Sequence, residues 1–337
     1  MKQLRAVHQT HLLEHNWSLG MGIDPSGRFL IADGNPARVW DIETARSVLT
    51  IPGFQADTVN WAFSRDGSAL ITGGRGRTAL VWDPGSGRRV HTLRGHWRSV
   101  QAAALSADGR VAATGSVDGR VRIWDVVTGR CTRTIRARNG PVYSVALNGD
   151  GSIVLCGTRG GAMGWDVATG RALGTVAGMH GIVWVVQLSD DGRSALALAN
   201  ETTHLWDTLT GERALALSTH TDCWQAVALA GRGDVAVAGG VGGAVVVFDL
   251  ASGDLRHRLT GDESKVESVA VSADSQIALT GGFGATARLW DLETGECLRQ
   301  LDGHTAPVGS VALSADARVA ATCAEDRTIR IWNLDWD

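Results

Sequence analysis

The sequence has little of what marks a disulfide-rich, zinc-binding or strongly charged protein. It contains six Pro and five Cys in 337 residues. Because the Cys number is odd and no Cys-x-x-Cys occurs, neither a complete disulfide framework nor a zinc ribbon is indicated. Basic and acidic side chains nearly balance at 32 and 35, so no strong net field attracts phosphate backbones or anionic membranes. We therefore expect neither a nucleic-acid nor a membrane partner.

Long apolar runs are also missing. The longest, between Asp234 and Asp249, is short and interrupted by four Gly, so it is not a membrane span. The segment after Met1 and Lys2 is polar and shows no secretory signal, which favours a reducing, cytoplasmic setting. The hydrophobic fraction of 44% is high enough to exclude wholesale disorder.

What the chain does have is glycine and tryptophan, 43 and 13 residues respectively, arranged in a repeat. An aromatic residue followed by Asp or Asn returns every 41 or 42 residues. The eight pairs are Trp40-Asp41, Trp82-Asp83, Trp124-Asp125, Trp165-Asp166, Trp206-Asp207, Phe248-Asp249, Trp290-Asp291 and Trp332-Asn333. A period this constant predicts eight copies of one structural unit.

Each unit reads as four short strands joined by tight turns. In the third unit, apolar alternation covers Val100 to Ser106, Val111 to Gly115 and Val121 to Trp124, and a fourth strand runs from Arg130 to Ile135. Asp-Gly and Thr-Gly turns separate these segments, which predicts a four-stranded antiparallel sheet. So small a sheet cannot bury both faces alone, and radial stacking of neighbours leaves only short edges.

With these repeats, and with Gly-His at Gly95-His96 and Gly303-His304, the chain resembles the WD40-repeat β-propeller family over essentially its whole length. The resemblance implies an all-β, eight-bladed propeller of four-stranded antiparallel blades in a single domain, residues 1–337. The last unit has no sequence left for its fourth strand, so we expect the N-terminal segment to supply it. The predicted bounds are 1–11 for this outer strand of blade eight and roughly 12–52, 53–95, 96–137, 138–178, 179–219, 220–261, 262–303 and 304–337 for the blades.

The resemblance also implies a buried chain of hydrogen bonds that joins a His, a Ser or Thr, an Asp and the closing Trp. The full set occurs twice, as His96, Thr114, Asp118 and Trp124, and as His304, Thr322, Asp326 and Trp332. The other repeats lack the Asp six residues before the closing aromatic. No nucleophile or oxyanion site accompanies either His–Asp pair, which favours a structural over a catalytic role.

Three further motifs look like chemistry but have structural explanations. His11-Leu12-Leu13-Glu14-His15 matches a zinc pattern that needs a helix, whereas a turn and strand are expected here. Gly239-Gly240-Val241-Gly242 occupies a hairpin position, and no helix or Lys-Ser/Thr follows it. Four cysteines at repeated positions are interpreted as small buried fillers: Cys131, Cys156, Cys297 and Cys323. We expect no metal and no cofactor.

Residues that break the repeat without serving the core are the candidates for partner binding. The second position of the innermost strand should lie near the mouth of the Gly-His face, where Tyr143 and Trp184 are large amphipathic anchors. The predicted partner-binding residues are Tyr143, Trp184, Trp97, Trp224, Gln101, Gln225, Glu267, Arg98, Arg138 and Arg159. Arg75 and Arg77 extend the basic side, and Asp262 and Glu263 extend the acidic side around Glu267. Alternatively, the aromatics pack between blades and the charges are solvated loop residues.

The leading functional hypothesis is a non-catalytic scaffold or sensor that binds a protein or peptide at the Gly-His face. The last repeat resembles the C-terminal sensor propellers of bacterial multidomain signalling proteins, which implies a cytoplasmic signalling role. The chain would then be a free-standing relative or part of a larger polypeptide or complex. One alternative is a small-molecule binder or enzyme using the central channel, and another is a purely structural spacer.

Overall fold

The computed structural model describes residues 4–14, 20–34, 36–51, 61–74, 76–199, 202–208, 213–217, 224–261 and 265–337. The regular elements of these ranges are β-strands, and no helix within them is long and apolar enough to cross a membrane. The chain divides into two compact units, one formed by residues 1–56 with 219–337 and the other by residues 57–218.

The strands follow the predicted repeat. Residues 4–51 contain β1 (Leu4–Glu14), β2 (Met21–Ile23), β3 (Phe29–Ala32), β4 (Ala37–Asp41) and β5 (Arg46–Ile51). Residues 61–217 contain β6 (Trp61–Phe63), β7 (Leu70–Thr72), β8 (Thr78–Asp83), β9 (Arg88–Arg94), β10 (Val100–Leu105), β11 (Val111–Ser116), β12 (Arg120–Asp125), β13 (Arg130–Arg136), β14 (Ser144–Leu147), β15 (Ile153–Asp166), β16 (Ala172–Leu188), β17 (Ser194–Ala199), β18 (Thr202–Asp207) and β19 (Arg213–Leu217). Residues 224–336 contain β20 (Trp224–Leu229), β21 (Val235–Gly240), β22 (Ala244–Asp249), β23 (Leu255–Thr260), β24 (Val266–Val271), β25 (Ile277–Gly282), β26 (Ala287–Asp291), β27 (Cys297–Leu301), β28 (Ser310–Leu313), β29 (Val319–Cys323) and β30 (Thr328–Trp336).

Neighbouring strands pair antiparallel in the order expected of β-propeller blades. Six sheets have four strands each: β2–β5, β6–β9, β10–β13, β20–β23, β24–β27, and β28–β30 with β1. The seventh sheet has six strands, β14–β19. The fold is therefore a β-propeller of four-stranded antiparallel blades, but the predicted blade number of eight is wrong, because the described residues form seven sheets.

The missing eighth sheet has a local cause in the fourth and fifth repeats. At the turn position where the third repeat has Asp118-Gly119, the fourth has Arg159-Gly160. β15 continues through this position and is 14 residues long. β16 then runs unbroken for 17 residues, so it pairs first with β15 and afterwards with β17. One long strand thus joins two repeats, and we call β14–β19 the fused sheet.

The N-terminal segment is the outer strand of the sheet that contains the C-terminal repeat, as predicted. β1 pairs antiparallel with β30, from Leu4 opposite Trp336 to Glu14 opposite Thr328. The strand extends three residues beyond the predicted bound at 11. It includes His11 and Glu14 of the zinc-like motif, which therefore lie on a strand, and His15 lies outside the described residues.

Core clusters form where adjacent sheets of one unit stack face to face. Trp124 is almost fully buried and packs with Ile71 and Val81 of the preceding sheet. Gly115 is required at such an interface, because a Cβ there would lie 2.5 Å from Val142 Cγ1. Of the cysteines predicted to be buried fillers, Cys156 and Cys323 are buried. The prediction is wrong for Cys131 and Cys297, which are exposed because they lie on outer strands.

The turns that follow β6, β10, β14 and β16 are linked by backbone hydrogen bonds from one repeat to the next within the 57–218 unit. The Asp66 N–H donates to the Ala107 carbonyl at 3.1 Å, Ala107 N–H to Gly149 at 2.8 Å, and Gly149 N–H to Asp190 at 2.9 Å. Arg65 also forms an ion pair with Asp190. These bonds hold the turns of consecutive repeats in fixed register, which a repeat pattern in the sequence does not reveal.

Candidate partner-binding surface

The third repeat contains a continuous hydrogen-bonded network, which we call the His96 network. His96 Nδ1 lies 2.9 Å from Asp118 Oδ2, and His96 Nε2 lies 2.9 Å from Thr114 Oγ1. The indole Nε1 of Trp124 donates to Thr114 Oγ1 at 2.8 Å. Asp118 also accepts the backbone N–H groups of Trp97 and Arg120, so one carboxylate fixes two turns.

The direction of these bonds defines the protonation state of His96. Because Thr114 Oγ1 accepts the Trp124 N–H, its own hydrogen is available to His96 Nε2, which leaves Nδ1–H to donate to Asp118. This arrangement needs a neutral imidazole. Burial lowers the pKa of His96, in agreement with that state. Burial tends to raise the pKa of Asp118, but hydrogen bonds from His96 and Trp97 outweigh it, and the pKa lies below its usual value.

The last repeat contains the same arrangement around His304. Its Nδ1 lies 2.9 Å from Asp326 Oδ2 and its Nε2 lies 2.8 Å from Thr322 Oγ1, which accepts the Trp332 indole N–H at 3.1 Å. Burial opposes ionisation of Asp326, yet hydrogen bonds from Thr328, Thr305 and His304 lower its pKa to about 2. In both networks the His bonds are used inside the blade, so neither ring is free for acid–base work at a surface.

Several of the predicted mouth residues share a feature that sequence reasoning missed, a β-bulge. In β16, Val183 pairs with Ala199 and Val185 with Leu198, so Trp184 is an extra residue without a partner across the ladder. The same irregularity occurs at Gln101, Gln225 and Glu267. A bulge locally redirects a side chain out of the regular alternation, and it recurs at the position predicted for partner contact.

Tyr143 and Trp184 lie together, and we call them the aromatic pair. Their ring centroids are 5.4 Å apart with planes inclined at 59°, a favourable tilted geometry. Tyr143 is half-buried and its backbone N–H donates to the Gly157 carbonyl at 2.9 Å. Trp184 remains 55% exposed, so the pair combines a fixed base with a large accessible aromatic face.

Trp97 is another exposed aromatic residue of the same 57–218 unit. It is 62% exposed, and the guanidinium of Arg120 lies 4.5 Å from its ring centroid. Asp118 holds its backbone N–H at 3.1 Å. The His96 network therefore positions the backbone beneath an exposed indole, and the indole in turn orients Arg120 by a cation–π contact.

The remaining predicted residues differ in how free they are. Arg77, Arg98, Arg138 and Arg159 are exposed, and Gln101 is half-buried. Glu267 is less available than predicted, because Lys265 Nζ lies 2.9 Å from its carboxylate. Arg75, Asp262, Glu263 and the side chains of Trp224 and Gln225 lie outside the described residues. The acidic side of the predicted charge pattern is thus represented in the described residues by a carboxylate that already has a cationic partner.

The sequence matches a known protein family over several of its repeats. The family described as WD40, "WD domain, G-beta repeat", matches residues 46–83, 87–125, 129–166, 253–291 and 295–333. Together the matches cover more than half of the chain, and each ends on the residue that follows a closing Trp. The repeats that close at Trp40, Trp206 and Phe248 fall outside them. A search of curated proteins finds no significant match.

Proposed function

Because this chain belongs to the WD40-repeat family, we propose that it is a non-catalytic interaction module that binds a protein or peptide through the surface around the aromatic pair. Propellers of this family are commonly interaction scaffolds and are generally non-enzymatic. The observation that carries the proposal is Trp184, which projects from a β-bulge, stacks against Tyr143 and keeps 55% of its surface exposed.

Physical chemistry supports an interface role for this pair. Trp and Tyr dominate interface energetics because they bury a large area at little conformational cost. A core aromatic side chain stabilises the fold through its burial. Trp184 leaves more than half of its surface in water, so this exposed area does not stabilise the free protein. Contact with a partner would remove that area from water.

The catalytic alternative has less support. Chemistry in a cavity calls for a perturbed acid or His directed into that cavity. The His residues with lowered pKa values, His96 and His304, instead contact Thr, Asp and Trp side chains of their own blades. We extend the proposal to a cytoplasmic bacterial signalling assembly, on the ground of the resemblance of the last repeat to sensor propellers.

The test is a pull-down that compares wild type with Tyr143→Ala/Trp184→Ala. The matched control is Phe283→Ala, which removes an aromatic side chain of similar exposure, 56%, from the other compact unit. We expect the double variant to melt close to wild type and to lose at least one partner that the control retains. If the double variant folds and retains every partner, the proposed site is wrong.

A further inference from the structure

Positive charge is concentrated in one segment of a chain that is acidic overall. Residues 86–140 contain eleven Arg and three Asp, a net charge of +8, whereas the whole chain carries −3. Every basic residue of this segment is Arg, the side chain whose planar fork pairs with carboxylates in bidentate geometry. The segment covers β9 to β13 in the 57–218 unit.

Most of this charge has no carboxylate to neutralise it. Among the described residues, no ion pair within 4 Å involves Arg94, Arg98, Arg130, Arg136 or Arg138, all of which are exposed. Arg110 differs, because its guanidinium lies 3.9 Å from Asp108. Of the three Asp in the segment, Asp118 is already engaged by His96.

The sheet places two arginines of the segment opposite each other. In the β12–β13 ladder Arg120 lies directly opposite Arg136, and like charges in that position destabilise a sheet. Arg120 is fixed in place by its stacking on Trp97. Folding gains nothing from this juxtaposition, and an anion bound to Arg136 would offset the repulsion between the two side chains.

A groove opens beside Arg136. It lies between β13 and strands β15 and β16 of the fused sheet. Its volume of about 450 Å³ is within the roughly 300–1,000 Å³ of ordinary ligand pockets. Ile135, Met163 and Trp165 form an apolar floor, and Arg136 and Arg138 line it from the exposed side. We call it the basic groove.

One wall of the basic groove is rigid. Arg133 Nε donates to the Val167 carbonyl at 2.8 Å and Nη1 to the Thr169 carbonyl at 3.2 Å, and Nη2 donates to Ala168. These bonds fix the guanidinium and leave its positive charge beside the groove. Arg136 and Arg138 make no such bonds among the described residues, so their donors remain available to a ligand.

We propose that the basic groove binds an extended acidic segment of a partner protein, with carboxylates on Arg136 and Arg138 and an apolar side chain on the floor. A polypeptide fits better than a nucleic acid, because the apolar side chains of the floor are buried, whereas bases stack on exposed aromatic faces. The site is separate from the aromatic pair and does not depend on the function proposed for it.

The probe is a fluorescein-labelled decapeptide of Glu-Glu-Leu repeats, measured by fluorescence polarisation in 50 and 300 mM NaCl. We expect saturable binding to wild type that weakens at the higher salt concentration. Arg136→Glu/Arg138→Glu should bind at least tenfold more weakly. The matched control, Arg88→Glu/Arg110→Glu, makes the same charge change at exposed arginines of the same segment and should weaken binding by less than threefold.

Two additional variants separate local from general effects. Ala172→Leu narrows the basic groove without changing its charge and should weaken binding, whereas Tyr143→Ala/Trp184→Ala should bind the peptide as wild type does. Arg136→Glu replaces a like-charge pair by an opposite-charge pair, so its melting temperature should not fall. If the double Glu variant does not fold, Arg136→Gln/Arg138→Gln, which removes the two charges without reversing them, must show the same loss of binding.

Three results would overturn the proposal. One is the absence of saturable binding to wild type. Another is an equal loss in the groove and control double variants, which would show only long-range attraction. The third is displacement of the peptide by a ten-nucleotide oligouridylate at a lower concentration than unlabelled peptide, which would identify a nucleic-acid surface.

Discussion

The third repeat and the fused sheet have the same repeat pattern in sequence but differ in the hydrogen bonds that stabilise them. In the third repeat, Asp118 ties His96 and two backbone N–H groups into one network, and four strands form a separate sheet. In the fused sheet, Arg159 stands at the equivalent turn position, the strands continue through the turn, and two repeats share their hydrogen bonds.

The difference shows what the turn Asp does. In the third repeat its oxygens accept hydrogen bonds from a buried imidazole and from two backbone N–H groups. Its absence does not by itself fuse sheets, because the repeats with Gly76, Gly242 or Gly284 at this position still form separate four-stranded sheets. In the fourth repeat, where Arg159 replaces it, strand pairing continues through the turn. The exposed aromatic pair, Trp184 against Tyr143, lies beside the bulge of this second region.

The largest expected effect comes from removing the carboxylate of the His96 network. Asp118→Ala leaves His96 Nδ1–H and the backbone N–H groups of Trp97 and Arg120 without their acceptor. It should lower the free energy of unfolding by about 1 to 3 kcal/mol. Arg159→Ala, at the equivalent position of the fused sheet, removes an exposed side chain and should change it by less than about 0.5 kcal/mol. Urea unfolding measures both, and equal effects would contradict the comparison.

Acid should destabilise the two repeats that contain a His–Asp network. The pKa of Asp326 is about 2 in the folded protein and 3.8 ordinarily, so its ionisation contributes about 2 kcal/mol of stability above pH 4. That contribution is lost as the pH falls toward 2. The lowered pKa of His304 acts with the same sign, because protonation below its ordinary value of 6.5 opposes folding.

The measurement is the melting temperature as a function of pH for wild type and Asp326→Asn. The variant should be less stable at pH 7 and show a flatter dependence between pH 4 and 2. A pH dependence identical to that of wild type would mean that the His304 network does not govern acid sensitivity.

The third comparison is between two glycine positions of the repeat and not between differently packed regions, because a Cβ at Gly157, the fused-sheet counterpart of Gly115, would also lie only 2.6 Å from the Val183 carbonyl oxygen. A Cβ at Gly115 would approach Val142 Cγ1 to 2.5 Å and Val145 Cγ1 to 2.9 Å, whereas one at Gly164 in the fused sheet meets nothing closer than 3.9 Å. Gly115→Ala should therefore destabilise by about 1.5 kcal/mol, and Gly164→Ala should be close to neutral. Thermal unfolding distinguishes them. A Gly115→Ala variant with unchanged stability would show that the interface can accommodate a Cβ at this position.

The smallest effect compares a complete network with a partial one. In the second repeat, Trp82 donates to Thr72 at 2.9 Å without the His and Asp partners. Thr72→Val leaves one buried indole N–H unpaired and should cost about 1 kcal/mol, whereas Thr114→Val also deprives His96 and should cost more. Chemical denaturation of the two variants, with Thr132→Val as an exposed control, gives the difference; a larger effect at Thr72 would reverse the interpretation.

The sequence was sufficient for the features that depend on residue periodicity. The strand order of each repeat, the outer position of β1 and the two His–Asp pairs follow from patterns that side chains impose. The blade number does not, because the joining of two repeats rests on backbone hydrogen bonds along β16. The bulges at Gln101 and Trp184 are likewise matters of ladder register. For Glu267 a signal was present, since the oppositely charged Lys265 lies two residues away in the sequence.

Site-specific photocrosslinking tests the central claim, that partner binding belongs to the region around Trp184, most directly. A photoreactive phenylalanine analogue would replace Trp184 in one protein and Phe283 in another, since both side chains are exposed to a similar extent. We predict a covalent adduct from position 184 that excess wild-type protein suppresses, and none from position 283. Adducts from position 283 alone, or from both positions equally, would contradict the account.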